Sequence, residues 1–324
     1  MTVVVFGIDA LDPELVDEQT HPNLTLDHHA PIETLVSTTG EPSTHELWPT
    51  IITGLHPSEH GLQLDDGVAW QNPLLKHGST VADYVMPQSL QSRIGAWLLN
   101  NTSEDAFREP ATYYRENGLS TVFDGYESKA IGVPNYVTNP EEEDREHTLR
   151  RNMGELFERD MEAKGGHTSD DPVDFYELCA EMAMVRTALL RRALRSKEYE
   201  LVFGYTSGLD LIGHVSYDLP ALQDHAYEEF DDFVADVCRD LGPDDELLLI
   251  SDHGLQDGVH TEKAMVASTS ASIVESIESV QDVRGAIEDE LGARDHNPEK
   301  PTYEGDGPGD SEEVREQLED LGYM

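Results

Sequence analysis

Apolar residues recur along this chain in two rhythms. Short, nearly continuous runs rich in Val, Ile and Leu read as buried strands, and longer stretches with apolar positions every three or four residues read as helices. The runs at 2–9, 201–205 and 246–250 carry the strongest strand signal, with further strands expected at 32–36, 93–99, 130–136 and 264–268. Between them, helical periodicity covers 79–85, 172–195, 221–241 and 280–291, and a charged helix opens at Glu141-Glu142-Glu143-Asp144. In the 172–195 stretch Phe175, Leu178, Met182, Val185 and Leu189 form one apolar face. Residues 165–171 are a polar break. Strands alternating with helices predict an α/β architecture with a mostly parallel central sheet flanked by helices. The expected core comprises 1–64 and 198–295, while 65–197 holds the remaining core elements and a partly helical cap insertion. Residues 296–324 read as an acidic tether ending in a short helix.

Against this pattern one polar stretch stands out: Ser43-Thr44-His45-Glu46-Leu47-Trp48-Pro49-Thr50-Ile51-Ile52-Thr53-Gly54. A hydroxyl precedes a helix-length segment that ends in Gly. This places Thr44 at a helix N-terminus, among unpaired N–H groups and the positive end of the helix dipole, where anions bind. A hydroxyl alone is a weak nucleophile and needs a base or a metal ion. His56 and His60 flank Pro57 and are expected to cap that turn.

Composition narrows the partners. The 324 residues carry 66 Asp+Glu against 21 Lys+Arg, a formal charge of −45. So acidic a chain does not bind a nucleic-acid polymer through phosphate contacts, which need basic side chains. The apolar runs argue for a folded protein with a carboxylate-coated surface. Molar salt, with a Debye length of ~3 Å, would screen its self-repulsion. Dilution into low salt tests this halophilic expectation, and full retention of the fold would count against it. Cys179 and Cys238 lie in helical patterns and are expected as thiols rather than a disulfide. No apolar run approaches the ~20 residues of a membrane span, and the first residues lack a basic segment and cleavage site. A soluble, cytoplasmic protein with no membrane partner is expected.

Candidate chemistry then collects at the strand ends. Asp9 closes the first run, with a cap for the Pro13-Glu14-Leu15 segment as its alternative role. Asp210 and His214 follow the 201–205 run, Asp252 and His253 follow the 246–250 run, and His260 lies on the loop beyond. Ligands of open α/β sheets bind at the carboxyl ends of the strands. Mixed Asp/His donors suit Zn²⁺, with Mn²⁺ or Fe as alternatives. Six such groups are too many for one tetrahedral ion and fit two divalent ions, which can clamp both oxygens of an in-line displacement at phosphorus. The pair His28-His29 lacks a partner at ligand spacing. No G-x-x-x-x-G-K-[ST] or G-x-G-x-x-G loop is present.

Taken in order, Asp9, the Thr44 stretch with its W-P-T-x-x-T-G-x-x-P-x-x-H-G tail, Asp210-x-x-x-His214, Ser251-Asp252-His253-Gly254 and His260 resemble the alkaline phosphatase superfamily, nearest its type I phosphodiesterase/nucleotide pyrophosphatase-like group. The resemblance spans residues 3 to about 268 and is thin between 65 and 195. It implies an alkaline-phosphatase-like fold and a phosphodiesterase or phosphatase acting on a small phosphorylated substrate. It further implies one metal site of Asp9, Thr44, Asp252 and His253, and a second of Asp210, His214 and His260, with His296 as competitor for the last position. Thr44 would be the nucleophile, passing through a phosphothreonine. Nucleotide pyrophosphatase-like members carry an Asn 21 residues after the nucleophile. Here that position is Asp65, a carboxylate that would repel an anion unless protonated or metal-bound, and it is the expected determinant of substrate choice. A phosphomutase of the same superfamily, or a catalytically idle metal-binding homologue, are the alternative readings.

Overall fold

The computed structural model describes residues 1–37, 40–63, 108–139, 149, 153, 156–160, 163–164 and 166–293. The expected elements at 79–85, 93–99 and 141–144, the segment 296–324, and the residues Asp65 and His296 lie outside the described residues.

Along the described chain the strands are β1 (Val3–Ile8), β2 (His28–Glu33), β3 (Ser128–Ile131), β4 (Glu158–Arg159), β5 (His167–Thr168), β6 (Leu201–Thr206), β7 (Glu246–Ile250), β8 (Gly254–Gln256), β9 (Val259–Thr261) and β10 (Lys263–Ser268). The helices are α1 (Pro22–Thr25), α2 (Thr44–Thr53), α3 (Pro57–His60), α4 (Thr112–Glu116), α5 (Pro172–Ser196), α6 (Gly208–Ser216), α7 (Pro220–Cys238), α8 (Ala271–Glu275) and α9 (Val283–Gly292). Six strands form the main sheet in the order β2-β10-β7-β1-β6-β3. The block β7-β1-β6-β3 is parallel, and β10 runs antiparallel to both β7 and β2. The sheet is thus mostly parallel and flanked by helices, as the alternation predicts. The reversal at β10 follows from its connection. Residues 251–262 return as the hairpin β8–β9 and leave no length for the crossover helix that a parallel strand requires.

Side-chain alternation along the strands divides the core between the two faces. Val4, Phe6 and Ile8 face α5, α6 and α7, whereas Val3, Val5, Leu201 and Phe203 face α2 and α9. Of the expected apolar face, helix α5 buries Phe175 and Met182, while Leu178, Val185 and Leu189 are half-buried and Leu190 is buried beside them. It also buries Arg186, whose guanidinium occupies the space beside Gly132.

Several expectations are corrected. The strand expected at 32–36 is β2, which begins earlier, at His28-His29, ends at Glu33 and forms the sheet edge, where its Pro31 is tolerated. Residues 13–15 make a turn rather than a helix, and Asp12, not Asp9, accepts the Glu14 N–H. The expected polar break holds the two-residue strand β5, paired with β4, too short to leave a period in the sequence. Both cysteines are free thiols, as expected. Among the described residues no helix is long and apolar enough to cross a membrane.

Candidate active site

The register of the parallel block aligns strand ends. Val3 pairs with Leu201 on one side and with Glu246 on the other, so the chain leaves β1, β6 and β7 at one edge of the sheet. Asp9, Asp210, Asp252 and His253 emerge there. Thr44 is the first residue of α2, with Ser43 in the cap position and no side-chain cap bond. The helix stops at Gly54, whose left-handed backbone (φ 69°) favours glycine. Pro49 inside α2 lacks the N–H that would pair with the His45 carbonyl. Asn135 Nδ2 donates to that carbonyl instead, at 3.0 Å.

The first group is Asp9, Asp252 and His253, all buried. Thr44 Oγ1 stands 3.4 and 3.3 Å from the Asp9 oxygens and 3.3 Å from His253 Nε2. His253 Nδ1 donates to the Gly254 carbonyl at 3.1 Å, which leaves Nε2 facing Asp9 Oδ1 and Asp252 Oδ2, each at 3.4 Å. Burial pushes this imidazole down to about 3, with His260 adding to the effect, so Nε2 presents a lone pair. Among the described residues no hydrogen bond is donated to either oxygen of Asp252.

The second group is Asp210, His214 and His260. Asp210 and His214 are one turn apart on α6 and share a face. His260 projects from β9. Its Nδ1 donates to the Pro42 carbonyl at 2.9 Å, and His214 Nδ1 donates to the Gly258 carbonyl at 3.1 Å. Both Nε2 atoms therefore turn inward, 3.1 Å from each other and 3.2 and 3.4 Å from Asp210 Oδ1. The groups adjoin, because the rings of His253 and His260 stack with centroids 4.0 Å apart.

These contacts bring acceptor against acceptor. Burial, then the charge of Asp210, pushes Asp9 up to about 6. Burial, then Asp9, holds Asp252 well above the usual carboxylate range. Burial also opposes the charge of Asp210, but the attraction and hydrogen bonds of His214 and His260 outweigh it and hold this carboxyl well below its usual range. Burial is the largest single influence on His260 and lowers it, but the hydrogen bond and charge of Asp210, with the Pro42 carbonyl and Asp9, together outweigh it and raise the imidazole to about 9. Donor atoms so placed can coexist only with protons or cations between them. Each group offers three ligand atoms within 4.8 Å of one another, a carboxylate and imidazole set that fits a divalent ion.

Two features of the site escaped sequence reasoning. The hairpin β8–β9 that carries His260 turns at Asp257-Gly258, both with positive φ (55° and 78°). That dipeptide is the usual signal for a two-residue hairpin turn. Asp12 holds the hairpin against the β1 end: its carboxylate accepts from Gln256 Nε2 at 3.2 Å and from Thr261 Oγ1 at 3.3 Å. A Cβ at Gly254 would come within 2.4 Å of Asp12 Oδ2, so only glycine fits after Ser251-Asp252-His253. His56 caps α3 as expected, through a reciprocal capping box with Glu59, while His60 is buried against Thr50.

The fold and this geometry describe an α/β protein with a hydroxyl and two Asp/His groups at the carboxyl edge of a mostly parallel sheet. A family model described as type I phosphodiesterase / nucleotide pyrophosphatase matches residues 3–321. The chain belongs to that family. No curated protein matches the sequence. Among solved structures it is similar to phosphonoacetate hydrolase from Sinorhizobium meliloti, at 14% identity over 78% of this chain and 56% of that one, with a TM-score of 0.43. It is also similar to murine ectonucleotide pyrophosphatase / phosphodiesterase 5, at 16% identity over 78% and 57% of the two chains, TM-score 0.39. Alkaline phosphatase from the Antarctic bacterium TAB5 matches at 11% identity over 91% and 99%, TM-score 0.41. The chain spans little more than half the length of the first two.

Proposed function

We propose that this protein hydrolyses phosphoryl esters with Thr44 as nucleophile and two divalent cations. Asp9, Thr44, Asp252 and His253 would hold one ion, and Asp210, His214 and His260 the other. One observation carries the reading: His214 and His260 commit their Nδ1 atoms to backbone carbonyls and aim both Nε2 atoms at one point beside Asp210. Zn²⁺ suits this donor set first, with Mn²⁺ or Fe as alternatives. When bound, the ions would lower the pKa of a hydroxyl or water and offset charge on the phosphoryl oxygens.

The chain's own part is positional. Helix α2 fixes Thr44 Oγ1 beside Asp9 and His253, and its N-terminal N–H groups favour the incoming anion. Thr44 Oγ1 attacks phosphorus, the bond to the ester oxygen breaks, and a phosphothreonine forms as the alcohol leaves. Water then attacks phosphorus, the bond to Thr44 breaks, and the hydroxyl is restored. No histidine base is required: His45 and His60 are each pushed down to about 4 by burial and are engaged elsewhere. The substrate class is a small phosphorylated compound, a diester or a monoester, with Asp65 as the proposed selector.

The test is Thr44→Ala assayed on aryl phosphodiester and monoester substrates, alongside elemental analysis. Activity should fall by at least 10³-fold while bound metal changes little. Unchanged turnover would remove Thr44 from the mechanism. A phosphomutase reading has one observation in its favour: the hairpin β4–β5 reaches the second group, with the His167 ring 5.4 Å from that of His214 and Lys164 bonded to Asp257 at 2.6 Å. Return of the phosphoryl group to an alcohol rather than to water would favour it.

A further inference from the structure

We infer that Tyr205 is a positioning residue for the first ion, acting through Asp9; the inference rests on the two-cation reading above. Tyr205 is buried on β6, paired in register with Gly7 of β1, two residues before Asp9. Its phenol donates to Asp9 Oδ2 at 2.5 Å. That bond engages one carboxylate oxygen and leaves Oδ1 directed at His253 Nε2, 3.4 Å away. The phenol ring is itself held. Trp48 of α2 meets it edge-on with centroids 4.8 Å apart, and the Trp48 six-membered ring fills the space over Gly7, where a Cβ would lie 2.4 Å from it. Tyr205 therefore ties the end of β1 to the helix that presents Thr44, and sets the rotation of Asp9 relative to both Thr44 and His253. A hydrogen bond from outside that orients a ligand typically accounts for 10- to 100-fold in metal affinity.

Tyr205→Phe removes the hydroxyl and keeps the ring against Trp48. The experiment measures Zn²⁺ binding to wild-type and variant protein by competition with a chromophoric chelator, together with the metal-free Tm. The expected result is one Zn²⁺ equivalent weakened about 10- to 100-fold, the other unchanged, and a metal-free Tm close to wild type. Turnover of an aryl phosphodiester should drop at limiting Zn²⁺ and recover as Zn²⁺ is raised. Two equivalents bound as tightly as in wild type would overturn the role of Tyr205 alone. Equal weakening of both equivalents with a lowered metal-free Tm would also overturn it, because that is a general packing defect. Wild-type protein that binds no divalent ion would overturn the two-cation reading itself.

Discussion

Asn135 offers a measurable link between packing and the candidate nucleophile. It is buried, sits in the left-handed region (φ 55°), and its Nδ2 donates to His45 Nδ1 at 2.7 Å and to the His45 carbonyl at 3.0 Å. The second bond replaces one that Pro49 cannot make, so Asn135 completes the first turn of α2 next to Thr44. Its Oδ1 also accepts the Glu109 N–H at 3.3 Å. Removing a donor from buried acceptors costs about 1–3 kcal/mol, and a non-glycine, non-Asn residue at positive φ adds about 1 kcal/mol. Asn135→Ala should therefore destabilise the protein by about 3 kcal/mol. Asn135→Gly removes the same bonds without the backbone penalty and should cost about 2 kcal/mol. Urea unfolding monitored by tryptophan fluorescence measures both. Activity of the surviving fold should fall as well, because the end of α2 that bears Thr44 loses its tether. A loss under about 0.5 kcal/mol for the glycine variant would refute the argument, since it would mean that these bonds contribute nothing net.

Two further outcomes can be checked. Burial pushes His60 down to about 4 from an ordinary 6.5, so the unfolded chain takes up a proton that the folded chain refuses. Stability from this group is complete above about pH 6.5 and declines as pH falls toward 4, by up to about 3 kcal/mol. Urea midpoints from pH 7 to 4.5 should fall less steeply for His60→Gln than for wild type, and parallel slopes would contradict the assignment. Asp65→Asn should raise kcat/KM on an aryl phosphodiester several-fold at neutral pH by removing a charge that repels the substrate. A decrease or no change would show that Asp65 does not select against that substrate.

Much of the fold was legible because its strong elements are long or thoroughly apolar. The runs at 201–205 and 246–250 became β6 and β7 within a residue of expectation, and the periodicity at 172–195 became α5. The order of Asp9, Thr44, Asp210-x-x-x-His214 and Asp252-His253 could be read because each stands just past a buried strand or at a helix start, positions that local pattern marks. What escaped was nonlocal or very short. Strands β4 and β5 have two residues each and carry no period. The direction of β10 depends on how the chain returns after β7, and no residue within β10 encodes it.

The sequence by itself determined which residues were available for chemistry, on which kinds of element they stand, and that the sheet would be mostly parallel. These follow from hydrophobic period and backbone preference, which act over a few residues. The division of the six Asp and His groups into two sets was an expectation of the family resemblance; the tertiary structure alone decided that His214 and His260 face each other across 46 positions of sequence. It alone joined Tyr205 to Asp9, 196 positions apart, and Asn135 to His45. Such contacts depend on strand register and on the packing of α2 over Gly7, long-range geometry that no local window of the sequence contains.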